Sequence, residues 1–349
     1  MITIARIDGD GIGKEVTEAG VKILNSLDLN IDFVEAEAGR ACFDKNGTTI
    51  PEETIKIAKK SKATLFGAIT STPGEKSPII TLRQELDVYG NLRPVKSFKG
   101  VNCLFDDLDF LIVRENTEGL YSKEESGNDE ETVAKRIITK KASERICELA
   151  FKQAIKRNES ITEEIKDNIK KDNLEKPLVT CVHKSNVLKT TDGLFKKTFY
   201  DVATNYPQIN TNDYFVDATA MYLLTKPQEF DVIVTTNLFG DILSDESAGL
   251  VGGLGLAPSG NIGDKHGLFE PVHGSAPDIA GQNISNPIAM TLSIAMMLDY
   301  LNEDYWANKI RIATENILKE GKIRTPDLGG TNTTTEVADA IIKEIERLN

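Results

Sequence analysis

The sequence predicts an α/β protein built on a largely parallel sheet. Short apolar runs typical of buried strands alternate with longer segments of helical spacing along nearly all of the 349 residues. This succession of strand, helix and strand is the pattern of α/β folds. Apolar residues make up 40% of the chain and charged residues 27%, which is typical of a globular protein with one large or two ordinary domains.

The individual elements follow from local patterns. Buried strands are predicted for the runs ITIARI, ATLFGAI, FLIVRE, LVTCVH and DVIVTT. Proline is favoured in the first turn of a helix, and Pro51 opens one of the predicted helices. Helices are predicted over residues 14–27, 51–58, 143–155, 288–301, 305–318 and 336–345. The polar stretch 160–177 predicts a solvated helix or a surface insertion, without chemistry.

Charge, cysteine spacing and hydropathy exclude several classes of protein. The net charge of −13 argues against a nucleic-acid partner, because phosphate binding needs a basic surface. The four cysteines have no CxxC spacing, so neither a zinc site nor a disulfide framework is predicted, and a reducing, cytoplasmic setting follows. The sequence has neither a signal-peptide pattern nor an apolar run of membrane-spanning length, so no membrane partner is expected.

Ligands of parallel α/β sheets bind at the carboxyl ends of the strands. Polar residues that directly follow predicted strands are therefore the first candidates for a functional site. They are Asp8, Thr70, Arg114, His183 and Asn237.

Three arginines and two aspartates suggest an anionic substrate and a metal ion. Arg83 and Arg93 lie ten residues apart, and Arg114 ends the strand FLIV. The guanidinium group matches a carboxylate in a bidentate manner, so three arginines in one cleft would suit a di- or tricarboxylate. Asp241 and Asp245 would share one face of a helix, where like charges disfavour the helix by about 0.2–0.5 kcal/mol. A hard divalent cation would compensate that repulsion.

Two further residues could carry protons, although each also has an ordinary structural explanation. Tyr121 follows the strand and turn RENTEGLY, and Lys184 follows the strand LVTCVH. Burial near a metal ion and a substrate would shift the pKa of either side chain. Asp217, which follows YFV, is a candidate third metal ligand.

Six segments together resemble the isocitrate and isopropylmalate dehydrogenase family. They are GDGIGKEV, LRQELDVYGNLRP, VRENTEGLY, HKSNVLK, NLFGDILSDESAGLVGGLG and FEPVHGSAPDIAGQNISNP. The resemblance covers nearly the whole chain in the family's order and spacing. It implies two α/β domains with a cleft between them: a large cofactor-binding domain from residues 1–98 and 250–349, and a small domain for dimerisation, substrate and metal from 99–249. This is not the Rossmann fold, and GDGIG indeed lacks the GxGxxG pattern.

The resemblance also implies roles for the candidate residues in the oxidative decarboxylation of a 2-hydroxy acid. The substrate's malate part would be held by Arg83, Arg93 and Arg114. Asp241 and Asp245, together with Asp217 of the partner subunit, would hold Mg²⁺ or Mn²⁺.

Proton transfer in this family, and its assembly, supply two more expectations. Tyr121 would protonate the enol left by decarboxylation, and Lys184 of the partner subunit would help to remove the hydroxyl proton. The implied assembly is a homodimer with shared active sites, and pairing of dimers into tetramers stays open.

The cofactor prediction depends on Asp278. A carboxylate at this position can accept hydrogen bonds from the adenosine ribose and would repel a 2′-phosphate. NADP-using relatives carry Lys-Tyr where this chain has Asp278 and Ile279, so NAD is predicted. The resemblance implies further cofactor contacts at Thr70, Glu270, His273, Gly274 and Asn286.

The residues before Arg83, EKSPIITLR, would meet the substrate's variable group. Ser77 matches a serine of isocitrate enzymes, whereas Ile79 replaces their asparagine, and Lys76 could reach a distal carboxylate. This mixed pocket, together with FGAITS, KSPIITLR and DATAMYLL, resembles archaeal homoisocitrate dehydrogenases of coenzyme B synthesis. Homoisocitrate and its longer homologues are therefore the preferred substrates, and 3-isopropylmalate and isocitrate stay open.

Two other classes of protein are alternatives to this interpretation. A non-catalytic regulatory subunit typically lacks one of the tyrosine, lysine or aspartate positions, and all of them are present here. A dehydrogenase of tartrate or malate would need no pocket for a distal group.

Overall fold

The computed structural model of the chain describes residues 1–159 and 177–348. Apart from Pro177, the predicted surface insertion 160–177 lies outside the described residues. The chain divides into two compact units, which are presented separately. Unit 1 comprises Met1–Val88, Ser97–Asp106 and Val251–Asn349, and unit 2 comprises Tyr89–Lys96 and Asp107–Leu250.

Unit 1 contains five strands in the order β2-β1-β3-β12-β11. Neighbouring strands are parallel except for the pair β11 and β12. The strands are β1 (Ile2–Gly9), β2 (Ile31–Glu35), β3 (Ala63–Ala68), β11 (Pro258–Ile262) and β12 (Gly267–Pro271). The helices are α1 (Gly13–Asn25), α2 (Arg40–Asn46), α3 (Glu52–Lys60), α4 (Pro78–Glu85), α9 (Ile288–Tyr300), α10 (Asp304–Glu320) and α11 (Thr334–Arg347).

The core of unit 1 forms because apolar residues of its strands are covered by helices. Helix α9 is buried along most of its length and packs against β11, β12, α1 and α10. A second cluster, which includes Phe66, Leu82 and Leu268, involves β1, β3, β12, α3 and α4. Ile79 of α4 packs against this second cluster.

Unit 2 contains five strands in the order β4-β5-β10-β8-β9, and only β4 and β5 are antiparallel. The strands are β4 (Gly90–Lys96), β5 (Asp109–Glu115), β8 (Leu178–His183), β9 (Asn210–Phe215) and β10 (Val232–Thr235). An antiparallel hairpin joins β6 (Glu125–Gly127) and β7 (Thr132–Ala134). The helices are α5 (Lys140–Glu159), α6 (Thr191–Ala203), α7 (Val216–Thr225) and α8 (Asn237–Leu250).

The predicted strands and helices are confirmed, with ends that differ by a few residues. The helix predicted over 143–155, for example, extends over Lys140–Glu159. The sheet strands are largely parallel, as predicted, but β11 pairs antiparallel with β12 in unit 1, and β4 pairs antiparallel with β5 in unit 2. No helix among the described residues is both long and apolar enough to cross a membrane.

Candidate active site

Two of the predicted arginines lie on neighbouring strands of unit 2. Arg114 pairs directly with Asn91 across β5 and β4. Arg93 is two residues after Asn91, so its side chain lies on the same face of the strand. Its Nε donates a 2.6 Å hydrogen bond to the amide oxygen of Asn91. Both arginines are buried, so one face of this strand pair carries two guanidinium groups shielded from water.

Helix α8 supplies carboxylates to this arginine pair. Arg114 donates to the carboxylate of Asp241 and, at 2.8 Å, to the amide oxygen of Asn237. Arg93 lies 3.7 Å from a carboxylate oxygen of Asp245. A Cβ atom at Gly240 would approach the side chain of Arg114 to 2.6 Å, so glycine allows this close packing of α8 on β5. Asp241 and Asp245 do share a helix face, as predicted.

Tyr121 joins the same group from a short 3₁₀ turn at Leu120–Ser122. Its hydroxyl donates to the carboxylate of Asp241, and the guanidinium of Arg114 lies 5.3 Å from the centre of its ring. Burial and the hydrogen bond to Asp241 raise the pKa of Tyr121. The phenol is therefore protonated at neutral pH and can act as a proton donor.

The charges around Asp241 and Asp245 suit a hard cation. Burial raises the pKa of Asp245, and the nearby charge of Asp241 raises it further, although Arg93 opposes the change. Carboxylate oxygens are the ligands that Mg²⁺ and Mn²⁺ prefer. Among the described residues, however, no group of three or more His, Cys, Asp or Glu side chains could hold a metal ion. The two aspartates of α8 place two carboxylates on one helix face, which fits the chemistry of such a cation.

Lys184 and Asp217 form a second group in unit 2. The ammonium of Lys184 donates to the carboxylate of Asp217 and lies 5.8 Å from the ring centre of Phe215. The hydrogen bond from Lys184 lowers the pKa of Asp217, so this carboxylate is charged. The side chain of Asp217 is 66% exposed, so the pair is open to solvent.

Arg83, the remaining predicted arginine, lies in unit 1 and is buried. Its guanidinium donates at 2.9 Å to the carboxylate of Glu270, which also accepts from the amide of Asn261 at 2.9 Å. Glu270 was predicted to contact the cofactor, and its observed partners are these two side chains. Such a buried ion pair holds the guanidinium in a fixed orientation.

Ser77 directly precedes helix α4, and Ile79 lies in its first turn. The same helix carries Arg83. Ser77 is the residue before the first helical turn, and Pro78 follows it at a favoured position. The backbone oxygen of Lys76 accepts a 2.7 Å hydrogen bond from Thr49, which fixes this loop, while the side chain of Lys76 is exposed.

Thr70 lies in the loop after β3, where a buried aspartate fixes the backbone. The carboxylate of Asp10, in the GDGIG segment, accepts hydrogen bonds from the backbone N–H groups of Thr70, Arg40 and Ala41. The hydroxyl of Thr70 contacts that of Ser275 at 2.8 Å. GDGIG therefore organises the loops around Thr70 through its aspartate.

The segment with His273, Gly274, Asp278 and Ile279 has unused hydrogen-bonding capacity. Nδ1 of His273 donates to the carbonyl of Gly274, because a carbonyl can only accept. Burial lowers the pKa of His273, so the ring is neutral and its Nε2 is an acceptor. This Nε2 is buried and has no partner among the described residues. Asp278 is exposed, so the segment fits a ligand that donates hydrogen bonds, as a dinucleotide does.

The side chain of Asn286 is used within unit 1. Its amide nitrogen donates to Asp327 at 2.9 Å, and its amide oxygen accepts from the N–H of Ile288 at the start of α9. The observed role of this side chain is therefore to hold two segments of the protein together.

Several residues that orient the candidate site residues have weak sequence signals or none. Asn91 and Asn261 orient arginine and glutamate side chains, but isolated asparagines look like surface residues. Asn91 could have been predicted as a partner of Arg93, because residues two apart in a strand lie on the same face. Asp192 and Arg136 have no such spacing signal.

Comparison with known proteins agrees with the sequence resemblance. The sequence profile of the family described as isocitrate/isopropylmalate dehydrogenase matches residues 3–341. The 3-isopropylmalate dehydrogenase of Methanothermobacter thermautotrophicus is 55% identical, with 98% of each chain covered. The homoisocitrate dehydrogenase of Methanocaldococcus jannaschii is 48% identical, with 99% of each chain covered. The crystal structure of isocitrate dehydrogenase from Methylococcus capsulatus superimposes with a TM-score of 0.90 at 40% identity and covers 99% of each chain.

Proposed function

Because this chain belongs to the isocitrate/isopropylmalate dehydrogenase family and is an oxidatively decarboxylating dehydrogenase, we propose that its substrate is 3-isopropylmalate and its cofactor NAD. The observation that carries the proposed chemistry is the group formed by Arg114, Asp241 and Tyr121. In this group Arg114 offers a guanidinium for a substrate carboxylate, Asp241 offers a carboxylate for a metal ion, and Tyr121 offers a protonated phenol.

The three arginines are proposed to bind the malate part of the substrate. Arg83, Arg93 and Arg114 are all buried, and each guanidinium is already oriented by a carboxylate or amide oxygen. Buried, oriented guanidinium groups bind carboxylates more strongly than mobile surface arginines do, because less entropy is lost on binding.

A divalent cation is proposed to bind Asp241 and Asp245, together with Asp217 of the partner subunit. When bound, the cation would supply a Lewis acid and the nicotinamide a hydride acceptor. The two carboxylates on one face of α8 and the exposure of Asp217 support this proposal.

Two side chains of the protein are proposed to move protons. Lys184 of the partner subunit, once its ammonium has released a proton to water, accepts the proton of the substrate's 2-hydroxyl group as C2 is oxidised to a ketone. Loss of CO₂ from the carbon next to that ketone leaves the electron pair of the broken bond on an enolate. Tyr121 then donates its proton to the enolate carbon, which completes the 2-oxo acid.

A homodimer with shared active sites is part of the proposal. Apolar side chains on two neighbouring helices of unit 2 are exposed: Met221 and Leu224 on α7, and Ile242 on α8. Exposed apolar residues on adjacent helices are typical of protein interfaces. Burial of this face against a second copy would remove it from water.

Asp278 supports the choice of NAD. Its carboxylate is exposed in the segment that contains the unpartnered Nε2 of His273. An exposed carboxylate can accept hydrogen bonds from two ribose hydroxyls and repels a 2′-phosphate.

A cytoplasmic location also belongs to the proposal. All four cysteines are free thiols. Burial raises the pKa of the Cys147 and Cys181 thiols, which keeps them unreactive. Free thiols are typical of a reducing compartment.

The substrate proposal depends on the residues before Arg83. Ile79 and Ile80 are half-buried apolar residues, and between Ser77 and Arg83 the helix carries no charged side chain. An apolar, branched substituent such as isopropyl would gain from contact with such residues. Homoisocitrate, the substrate preferred from sequence alone, is kept as a second candidate because Lys76 is an exposed cation next to Ser77.

The test compares kcat/KM for 3-isopropylmalate, homoisocitrate and isocitrate, by following NADH formation with Mg²⁺. We expect the highest value for 3-isopropylmalate, and no loss of it in Lys76→Ala. A preference for homoisocitrate that Lys76→Ala abolishes would support the second candidate instead. Lys62→Ala, an exposed lysine elsewhere in unit 1, is the control for surface charge.

A further inference from the structure

A buried carboxylate holds the backbone of Lys184. Asp192, at the start of α6, is fully buried. One of its oxygens accepts a 2.6 Å hydrogen bond from the backbone N–H of Lys184. The carbonyl of Lys184 in turn accepts from the N–H groups of Val187 and Leu188. The backbone of Lys184 is therefore fixed on both sides, which limits where its side chain can begin.

The second oxygen of Asp192 accepts from Arg136, whose side chain is 13% exposed. This guanidinium also donates to Thr236 at 2.9 Å and lies 4.9 Å from the ring centre of Phe239. Thr236 directly precedes α8 and Phe239 is in its first turn, two residues before Asp241. Arg136 therefore connects the segment of Lys184 with the helix that carries Asp241 and Asp245.

Arg136 is itself anchored to the segment that leads to Tyr121. The next residue, Ile137, forms an antiparallel bridge with Gly119, and the Gly119 N–H donates to the Ile137 carbonyl at 3.0 Å. Tyr121 follows two residues later. The buried ion pair of Asp192 and Arg136 therefore contacts or adjoins three segments of unit 2. These segments carry Lys184, Tyr121 and Asp241, which are proposed to bind metal or to move protons.

The opposite end of strand β8 has a buried aspartate in a similar arrangement, but this aspartate adjoins no proposed site residue. Asp231 is also buried, accepts from an arginine, Arg157, and accepts from a backbone N–H, that of Leu178 at the start of β8. Lys184 directly follows the end of β8, at the strand terminus where ligands of α/β sheets bind. The two aspartates make matching contacts, but only Asp192 is adjacent to a proposed site residue.

We propose that Asp192 and Arg136 are positioning residues for Lys184, with Asp192 fixing its backbone and Arg136 fixing Asp192 to the segments of Tyr121 and Asp241. This inference rests on the proposed function, because it assumes that Lys184 transfers a proton. Buried ion pairs contribute little to stability in themselves, and the specification of one arrangement is their best attested use.

The test is a double-mutant cycle between Asp192→Asn and Lys184→Ala in the full chain, with kcat and KM measured separately. We expect Asp192→Asn to lower kcat by about 10- to 100-fold, because small displacements of a reacting group have such effects. The KM for the hydroxy acid and the KM for NAD should both stay within about threefold of wild type. In the Lys184→Ala background, Asp192→Asn should lower kcat no further. Asp231→Asn is the matched control and should lower the Tm without lowering kcat.

The outcomes separate this inference from the proposed function. A wild-type kcat in Asp192→Asn would overturn the positioning role alone. The same conclusion would follow if Asp192→Asn lowered kcat by the same factor in the wild-type and the Lys184→Ala backgrounds. A wild-type kcat in Lys184→Ala would overturn the role of Lys184 and the inference with it. If Asp192→Asn does not fold, Arg136→Lys and Arg136→Gln carry the test. The expected order of kcat is then wild type, Arg136→Lys, Arg136→Gln, and three equal values would contradict the inference.

Discussion

The hydroxyl group of Tyr121 donates a hydrogen bond to the carboxylate of Asp241, which also accepts from Arg114. A candidate proton donor and a candidate metal ligand are thus in direct contact within unit 2. In the proposed reaction this contact holds the phenol close to the carbon that must be protonated, while Asp241 takes part in binding the cation.

Replacement of this hydroxyl should affect turnover far more than substrate binding. Tyr121→Phe keeps the ring that packs against Arg114 but removes the proton donor. We expect kcat to fall by about 100- to 10,000-fold, the range for general acid catalysis. The KM for the hydroxy acid should change by less than about threefold. Tyr305→Phe, an exposed tyrosine of α10, should behave as wild type. Equal losses in kcat and in substrate affinity would contradict the role of Tyr121 as the acid.

Cofactor preference should follow the charge at Asp278. The double change Asp278→Lys with Ile279→Tyr replaces a carboxylate that repels a 2′-phosphate by a cation that attracts it. We expect the ratio of kcat/KM for NADP to that for NAD to rise by about 100-fold. The control Asp28→Lys makes the same charge change at an exposed position of unit 1 and should leave the ratio unaltered. An unchanged ratio in the double variant would remove Asp278 from the cofactor site.

Mixing two inactive variants tests whether active sites are shared between copies. A mixed dimer of Lys184→Ala and Tyr121→Phe chains would contain one intact site, because Lys184 is proposed to act in the partner's site. Random exchange of subunits should restore roughly a quarter of the wild-type activity. A mixture of Tyr121→Phe with Asp241→Asn should restore none, because these residues are proposed to act in the same site. Absence of recovery in the first mixture would argue that each copy works alone.

Acid stability should depend on Asp213. Burial disfavours its charged form, but hydrogen bonds from Lys196, Tyr200 and His183 outweigh this effect and lower its pKa to about 2. A carboxyl group whose pKa is lower in the folded state stabilises the fold above its unfolded pKa and loses that contribution as pH falls. We therefore expect the wild type to lose stability between about pH 4 and about pH 2 more steeply than Asp213→Asn.

Urea unfolding at several pH values checks this expectation. The matched control is Asp201→Asn, which removes an exposed carboxylate that pairs with Lys197 on the same helix, α6. The Asp201 variant should follow the wild-type curve. Parallel curves for the wild type and the Asp213 variant would mean that the Asp213 contacts do not persist in solution.

Local patterns were sufficient to predict the main elements of the fold. The buried runs around Phe66, Ile112 and Val234 are unbroken, and such runs form the interior strands of parallel sheets. The antiparallel pairing of β4 with β5 could not be predicted in this way, because strand direction is set by distant segments. Pairing of Asn91 with Arg114 is a consequence of that register.

Residue type was sufficient to propose candidate site residues, whereas residues whose contacts depend on burial could not be identified from the sequence. Arginines and aspartates at helical or strand spacing suggested a carboxylate and a metal before any fold was known. Asp192 looks like an ordinary acidic residue in the first turn of a helix. Its function in the structure depends on complete burial and on Arg136, which is 56 residues away in the sequence. Glu270 likewise bonds to Arg83 across 187 residues.

The most direct test of the account measures NADH and CO₂ together, with purified full chain, NAD, Mg²⁺ and 3-isopropylmalate. An oxidatively decarboxylating dehydrogenase should form the two products in equal amounts. We expect both to be lost on chelation of the divalent cation and restored by Mn²⁺, because the carboxylates of α8 favour such ions. Equal yields that depend on the cation would support the proposed chemistry. NADH without CO₂, or no turnover of any of the three hydroxy acids, would contradict it.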